Sequence, residues 1–438
     1  MLDISSLQIA QILELNQQPA MVHIRRVSTD SRDVDAQTLF IALKGEKFDG
    51  HDFIVKALND GVPLVLAEHV VEGVDPAKIL LVDDTLKAYG KLAQFYRRQF
   101  HGTVIALTGS SGKTTTKEEL KAALSCYGKT CATSGNFNNF IGVPKSLLNI
   151  ELDAQFAIIE MGMSARHEIE YLTQLVEPDV ALVTNVYPMH LEFLKTIDNI
   201  ALAKAEIFGG LKENGIAIYN EDSAKADVLA AAAQKATTQV IPFGEKHHPE
   251  VALKLVEEGK HYRYNAWAVL SVIQALGLKL EPAVAAVNHF TAPEGRGKKF
   301  ALNIHGKKVT LLDNSYSGGP DATVLAVEAL AKTDGRRKVA VIGKMAELGD
   351  YTVAAHQRVG QALGAHHIDV VIGVCAETKD MLAQLPAEIE QHYFDNINGV
   401  ADFLCDKLLQ DGDVLLMKGS HYSSEVYKAA DVLKTYAV

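Results

Sequence analysis

TVIALTGSSGKTTTKEEL (103–120) is the stretch that decides the fold. An apolar, β-rich run enters a glycine-rich turn, and a helical pattern leaves it, which is the build of a phosphate-binding loop. Gly109 and Gly112 let the backbone approach a phosphate closely, and the helix start offers unpaired N–H groups through Ser110, Ser111 and Thr115. In such a loop Lys113 reaches the β/γ-phosphates and the Thr114 hydroxyl binds Mg²⁺. The match to GxxxxGK[ST] is incomplete, since Leu107 stands at the first glycine position. A plain glycine turn is the bland alternative, and GKT placed between a strand and a helix argues against it.

Outward from this loop the chain reads as three α/β stretches, expected as units 1–98, 99–297 and 298–438. The first holds short β-like runs at 38–43, 63–68 and 79–83 and a helix over 85–99. The second continues with FAIIE (156–160) and VALVTN (180–185), separated by a helical segment, and ends in a helix over Asn265–Leu276. Strands alternating with helices predict a mostly parallel sheet. The third is the most regular. VTLLD (309–313), VAVIG (339–343), DVVIG (369–373) and DVLLM (413–417) alternate with helical patterns at 321–332, 353–365, 397–409 and 424–434, with one more strand near 392–394. This is a doubly wound pattern, whose ligands sit at the carboxyl ends of the strands, where Asp313, Gly343 and Lys418 fall.

Composition fits this reading. The 438 residues are 48% hydrophobic and 22% charged, an ordinary globular balance. A net charge of −11 argues against binding long nucleic acid, which needs a basic face. It leaves room for a small anion held by local cations. Cys126, Cys131, Cys375 and Cys405 form no CxxC pair. No basic-then-apolar leader and no membrane-length apolar run is present, so a cytoplasmic protein is expected.

From TGSSGKTTT onward, a resemblance extends over nearly the whole chain. TDSR (29–32) with LFIALKGEKFDGHDF (39–53), SGNFNNFIGVP (134–144), FAIIEMG (156–162), TNVYPMHLEF (184–193), ALAKAEIF (201–208), LLDNSYSGGPD (311–321), IGKMAELGD (342–350) and MKGSH (417–421) resemble, in order, segments of the Mur ligase family, most closely its MurF type. The resemblance implies an ATP- and Mg²⁺-dependent amide ligase that is monomeric, with no nucleic-acid partner. It would join D-alanyl-D-alanine to a UDP-N-acetylmuramoyl tripeptide in peptidoglycan synthesis. A Mur-fold ligase with another carboxylate or amine, and an inactive nucleotide-binding regulator, are the alternatives.

Site roles follow from the resemblance together with the residue chemistry. Glu160 ends a buried strand, where a carboxylate needs a partner such as Mg²⁺. His190 and Lys204, the latter carbamylated, are implied ligands of a second metal. Arg296 would bring a cation to the transferring phosphoryl group. Asn265 and Asp313 are expected at the nucleotide. Thr29, Asp30, Ser31, Arg32, Lys44, Gly45, Asn136, Asn138, Asn139 and Lys418 are expected at the other substrates. Several positions depart from the family's pattern: Ser317 and Gly319 replace asparagines, Lys344 replaces Asp, and His421 replaces Arg. Only His261 and Asn265 remain of an HNxxN element, and a short 244–261 segment predicts that a piece of the central sheet is missing.

Overall fold

The computed structural model describes residues 3–45, 48–256 and 259–438. The first unit is a four-stranded parallel sheet of β1 (Arg26–Ser28), β2 (Thr38–Ile41), β3 (Leu64–Ala67) and β4 (Ile79–Leu81), in that spatial order. Asp84 caps α1 (Thr85–Arg97) by accepting from Lys87 N–H. This helix seats the unit on its neighbour. Arg97, 1% exposed, donates to the Val176 carbonyl at 2.7 Å and the Glu177 carbonyl at 2.9 Å, while Arg98 pairs with Glu177 at 2.5 Å. A buried guanidinium is tolerable here because three backbone carbonyls, including that of Phe100, satisfy it.

The central unit comprises β5 (Thr103–Thr108), α2 (Lys113–Leu124), β6 (Thr130–Ala132), α3 (Gly142–Leu148), β7 (Phe156–Glu160), α4 (Glu168–Val176), β8 (Val180–Val183), α5 (Ile197–Ala205), β9 (Ile216–Asn220), β10 (Gln239–Phe243) and α6 (Lys260–Ala275). Its six strands run in the order β10-β9-β8-β5-β7-β6, all parallel. β5, β7 and β8 are covered on both faces, which is why they read as unbroken apolar runs. Their register pairs Leu107 with Glu160 and Thr108 with Val183, so the phosphate loop, Glu160 and Thr184 emerge side by side. β10 forms the sheet edge, and no further strand occurs among the described residues of 244–259, in keeping with the shortened segment. Val251, Leu253 and Leu255 instead pack against the core there. α6 starts five residues before the expected Asn265.

The third unit comprises β11 (Lys298–Ile304), β12 (Lys307–Asn314), α7 (Pro320–Lys332), β13 (Arg337–Gly343), β14 (Val370–Val374), β15 (Glu390–Phe394), β16 (Asp413–Lys418) and α8 (Val426–Lys434). Its strands run in the order β11-β12-β16-β13-β14-β15, and β11 alone is antiparallel. The helix expected over 397–409 is an α-turn at Val400–Phe403 that widens into a π-turn at Leu404–Leu408. No helix among the described residues is long and apolar enough to cross a membrane.

Candidate active site

The phosphate loop is fixed from two sides. Gly112 has φ +77°, and a Cβ there would lie 2.9 Å from Asn265 Oδ1, so only glycine fits. A Cβ on Gly109 would lie 1.8 Å from Thr184 Oγ1. The residues after β8 clasp the loop. Ser111 N–H donates to Asn185 Oδ1 at 2.8 Å, and the Ser111 carbonyl accepts from Asn185 Nδ2 and Thr184 Oγ1, both at 2.9 Å. Ser110 Oγ accepts from Tyr187 N–H at 2.9 Å. The asparagine of the TN element therefore holds the loop, a role the sequence reading missed although the motif was visible.

At the helix start, Thr114 Oγ1 donates to Glu160 Oε2 at 3.0 Å, and Asn138 Nδ2 donates to Oε1 at 2.8 Å. Glu160 is 1% exposed. A hydroxyl beside a buried carboxylate is a hard-oxygen pair that fits Mg²⁺, which keeps few protein ligands. Among the described residues no cluster of three or more His, Cys, Asp or Glu side chains competes for a metal. Lys117, also unforeseen, is fully buried, and its ammonium donates to the Thr133 and Gly135 carbonyls at 2.7 and 3.2 Å. It ties α2 to the 133–135 loop and lies 3.9 Å from Glu160.

Four basic side chains converge on this loop. Lys113 Nζ folds back to the Gly109 carbonyl at 2.8 Å; burial, and then Arg296, lower its pKa against the pull of Glu160. Lys204, 2% exposed, is not the solvated helical lysine its position could have been. Burial, then the Lys113 charge, hold its pKa well below the usual lysine range. Lys418 Nζ donates to the Ser317 carbonyl, and its pKa is pushed down to about 7 by burial and by Arg296. Arg296 lies 4.1 Å over the Tyr316 ring, its pKa lowered by burial. Desolvated cations that repel one another are relieved by an anion arriving among them.

A cavity of about 180 Å³ opens beside the loop, between the central and third units. Ser111, Gly112, Thr115, Asn265, Arg296 and Lys418 line it, joined by Tyr187, Asp222, Tyr264 and Asn314, which the sequence reading did not single out. Asp313 does not line it. Its fully buried carboxylate accepts from Ser315 Oγ at 2.6 Å and Gly295 N–H at 3.0 Å, and lies 3.3 Å from the Lys434 ammonium. It secures the connection into the third unit.

A second cavity, of about 580 Å³, lies between the first and central units. Arg25, Thr29 and Asp30 line one wall, and Lys145, Asn149 and Glu151 the other. Ser31, Arg32, Lys44 and Gly45 lie outside it. Arg32 instead makes a bidentate pair with Asp30 at 2.9 and 2.7 Å, and Gly45 N–H closes a turn on the Phe48 carbonyl at 2.8 Å. Asn139 starts α3 by accepting from Gly142 N–H at 2.9 Å, whereas Asn136 is exposed on the loop before it.

The departures have local explanations. A Cβ on Gly319 would come within 2.8 Å of Met189 Sδ, so an asparagine there would need the Met189 side chain to move. Lys344 pairs with Glu377 at 2.7 Å inside the third unit. His421 is a ring in a stack, 4.8 Å from Tyr316 and 4.0 Å from Tyr427.

Comparison with known proteins gives the family. Family models match in order: "Mur ligase family, catalytic domain" at 23–97, "Mur ligase middle domain" at 107–280 and "Mur ligase, glutamate ligase domain" at 302–421. A curated UDP-N-acetylmuramoyl-tripeptide–D-alanyl-D-alanine ligase of Synechocystis is 36% identical over 91% of this chain and 90% of its own length. The chain belongs to the Mur ligase family. The Escherichia coli ligase of the same name is 35% identical to this Mur ligase, covering 93% and 91% of the two chains. The MurF structure of Acinetobacter baumannii superposes at TM-score 0.90 with 29% identity over 99% of both chains. MurF of Thermotoga maritima, solved with ADP, superposes at 0.82 with 28% identity over 94% and 97%. Within its family this Mur ligase is of the MurF type.

Proposed function

We propose that this Mur ligase joins D-alanyl-D-alanine to a UDP-N-acetylmuramoyl tripeptide at the expense of ATP, with working units 1–98, 99–297 and 298–438, as a cytoplasmic monomer. The observation that carries the reaction type is the convergence of Lys113, Lys204, Arg296 and Lys418 on a phosphate loop that lines the cavity between the central and third units. The substrates are those in the names of its relatives.

A carboxylate is a poor electrophile near neutral pH, so its terminal oxygen first takes the γ-phosphoryl group and ADP departs. The neutral amine of the dipeptide then attacks the acyl phosphate carbonyl, and the tetrahedral intermediate collapses to the amide as inorganic phosphate leaves. Lys113 and Arg296 offset charge on the transferring group. Thr114 and Glu160 would hold Mg²⁺, which supplies further charge neutralisation at the phosphates. The first-unit cavity takes the UDP-linked substrate and the other takes the nucleoside. Phosphate release with UDP-muramoyl tripeptide and a panel of dipeptides tests the reading; turnover with none of them, by folded protein that binds ATP, would sink it.

Two results are expected from the cavities. Lys145 stands on the wall opposite Asp30, so Lys145→Ala should raise KM for the UDP-peptide about tenfold with kcat within about twofold, as loss of uniform binding does. A lowered kcat at unchanged KM would place Lys145 elsewhere. Burial and Arg296 push the Lys418 pKa down to about 7 in the empty protein. A bound polyphosphate favours its ammonium form and raises that pKa. Nucleotide binding should therefore take up close to one proton at about pH 8 and almost none at about pH 6. Affinity should fall as pH rises above that value, approaching about tenfold per unit. Calorimetry in buffers of different ionisation enthalpy reads the uptake, which should disappear in Lys418→Met.

A further inference from the structure

The central and third units also meet where His190 and Glu347, which line neither cavity, face each other. His190 begins the helical turn Leu191–Leu194, and its Nδ1 lies 2.5 Å from Glu347 Oε2, in the segment that follows β13. Glu192 N–H donates to the Glu347 carbonyl at 3.2 Å. Both His190 and Glu347 hold left-handed backbone, φ 59° and 61°. Gly349, φ +54°, lies so close that an added Cβ would stand 3.2 Å from Glu192 Cα. Left-handed backbone is unfavourable for non-glycine residues and marks sites where something else is gained. Stability is a poor candidate for that gain. The Glu347 side chain is 45% exposed, and ion pairs so open to water contribute little.

We propose that Glu347 is a positioning residue of the active site, supplied by the third unit, that fixes the ring and tautomer of His190. The inference rests on the reading of His190 as a metal ligand. An ionised carboxylate only accepts hydrogen bonds, so Nδ1 must carry the proton. In the neutral ring Nε2 is then the nitrogen left with a lone pair, and a carboxylate on the opposite ring nitrogen is the usual arrangement for a ligating histidine. Because the two residues belong to different units, His190 is set for ligation only when the third unit is docked.

The test uses full-length protein with ¹⁵N-labelled histidine, His190 being assigned by its loss in His190→Ala. In the parent, Nδ1 should show the protonated and Nε2 the unprotonated shift. Glu347→Ala should move both toward the opposite tautomer, and Glu347→Gln, whose amide oxygen still accepts, should keep the parent pattern. With ADP present, Mn²⁺ affinity read by electron paramagnetic resonance should fall at least about tenfold in Glu347→Ala and recover in Glu347→Gln. A Glu347→Ala spectrum identical to the parent's overturns the proposal. If the tautomer changes but Mn²⁺ binds Glu347→Ala and His190→Ala as tightly as the parent, the ligand role of His190 fails instead.

Discussion

Lys113→Ala should lower ATP-dependent ligation by about a thousandfold, the scale on which one cation acts on a transferring phosphoryl group. The protein should stay folded. Lys113 makes one hydrogen bond, to the Gly109 carbonyl of its own loop at 2.8 Å, so little structure depends on it. Its charge is a burden in the empty protein, because burial and Arg296 both disfavour the ammonium. Removing it should therefore leave thermal unfolding unchanged or slightly raise its midpoint. Single-turnover transfer from labelled ATP, run beside a thermal melt, separates the two effects. Near-normal transfer by a folded variant would remove Lys113 from the reaction and with it the assignment of the loop.

The contrast between that lysine and its neighbours shows what a sequence can carry. The phosphate loop is legible because its backbone conformation demands glycine at 112 and because β5 is buried on both faces and reads as an apolar run. The same physics made β12, β13, β14 and β16 visible, whereas β11, KKFALNI, alternates exposed and covered residues and was not read as a strand. β9 and β10 were missed because IAIYN ends its apolar run in Tyr219 and Asn220, and QVIPF is a half-exposed edge strand interrupted by proline. Side-chain partners were the least legible. Nothing in TDSR tells whether Arg32 reaches a ligand or the carboxylate two residues before it, and the structure has it on Asp30. Nor does DNS reveal that Asp313 faces Gly295, Ser315 and Lys434. Lys117 was invisible for the opposite reason, since a lysine in KEEL reads as solvated until the 133–135 carbonyls are folded over it. Contacts between units, such as His190 with Glu347, depend on how the units pack and have no local signature.

Lys204→Ala should be nearly inactive, down by about a thousandfold if an anionic metal ligand is lost, and partly restored by acetate. The burial of Lys204 narrows what this side chain can be. At 2% exposure, with Lys113 as the charge acting on it, an ammonium is disfavoured by desolvation and by repulsion together. A cation there would also repel the metal that Thr114 and Glu160 are suited to hold. The neutral amine that burial favours is the form that attacks dissolved CO₂: a nitrogen–carbon bond forms, a proton leaves, and the product is a carbamate anion. That anion relieves the local excess of positive charge, since Lys113 is drawn to it where it was repelled by the ammonium. Glu160 brings a single carboxylate to the Thr114 hydroxyl, so the carbamate would supply a second anionic oxygen ligand for two metals. Acetate is small enough to enter the space left by alanine and can stand in for the carbamate oxygens. Protein exchanged into ¹³C-bicarbonate should show a single carbamate carbon resonance that is absent from Lys204→Ala, and removing dissolved CO₂ should lower the activity of the parent but not of the acetate-rescued variant. Full activity of Lys204→Ala without any additive would refute the carbamate, and an unlabelled Lys204 in an active parent would do the same.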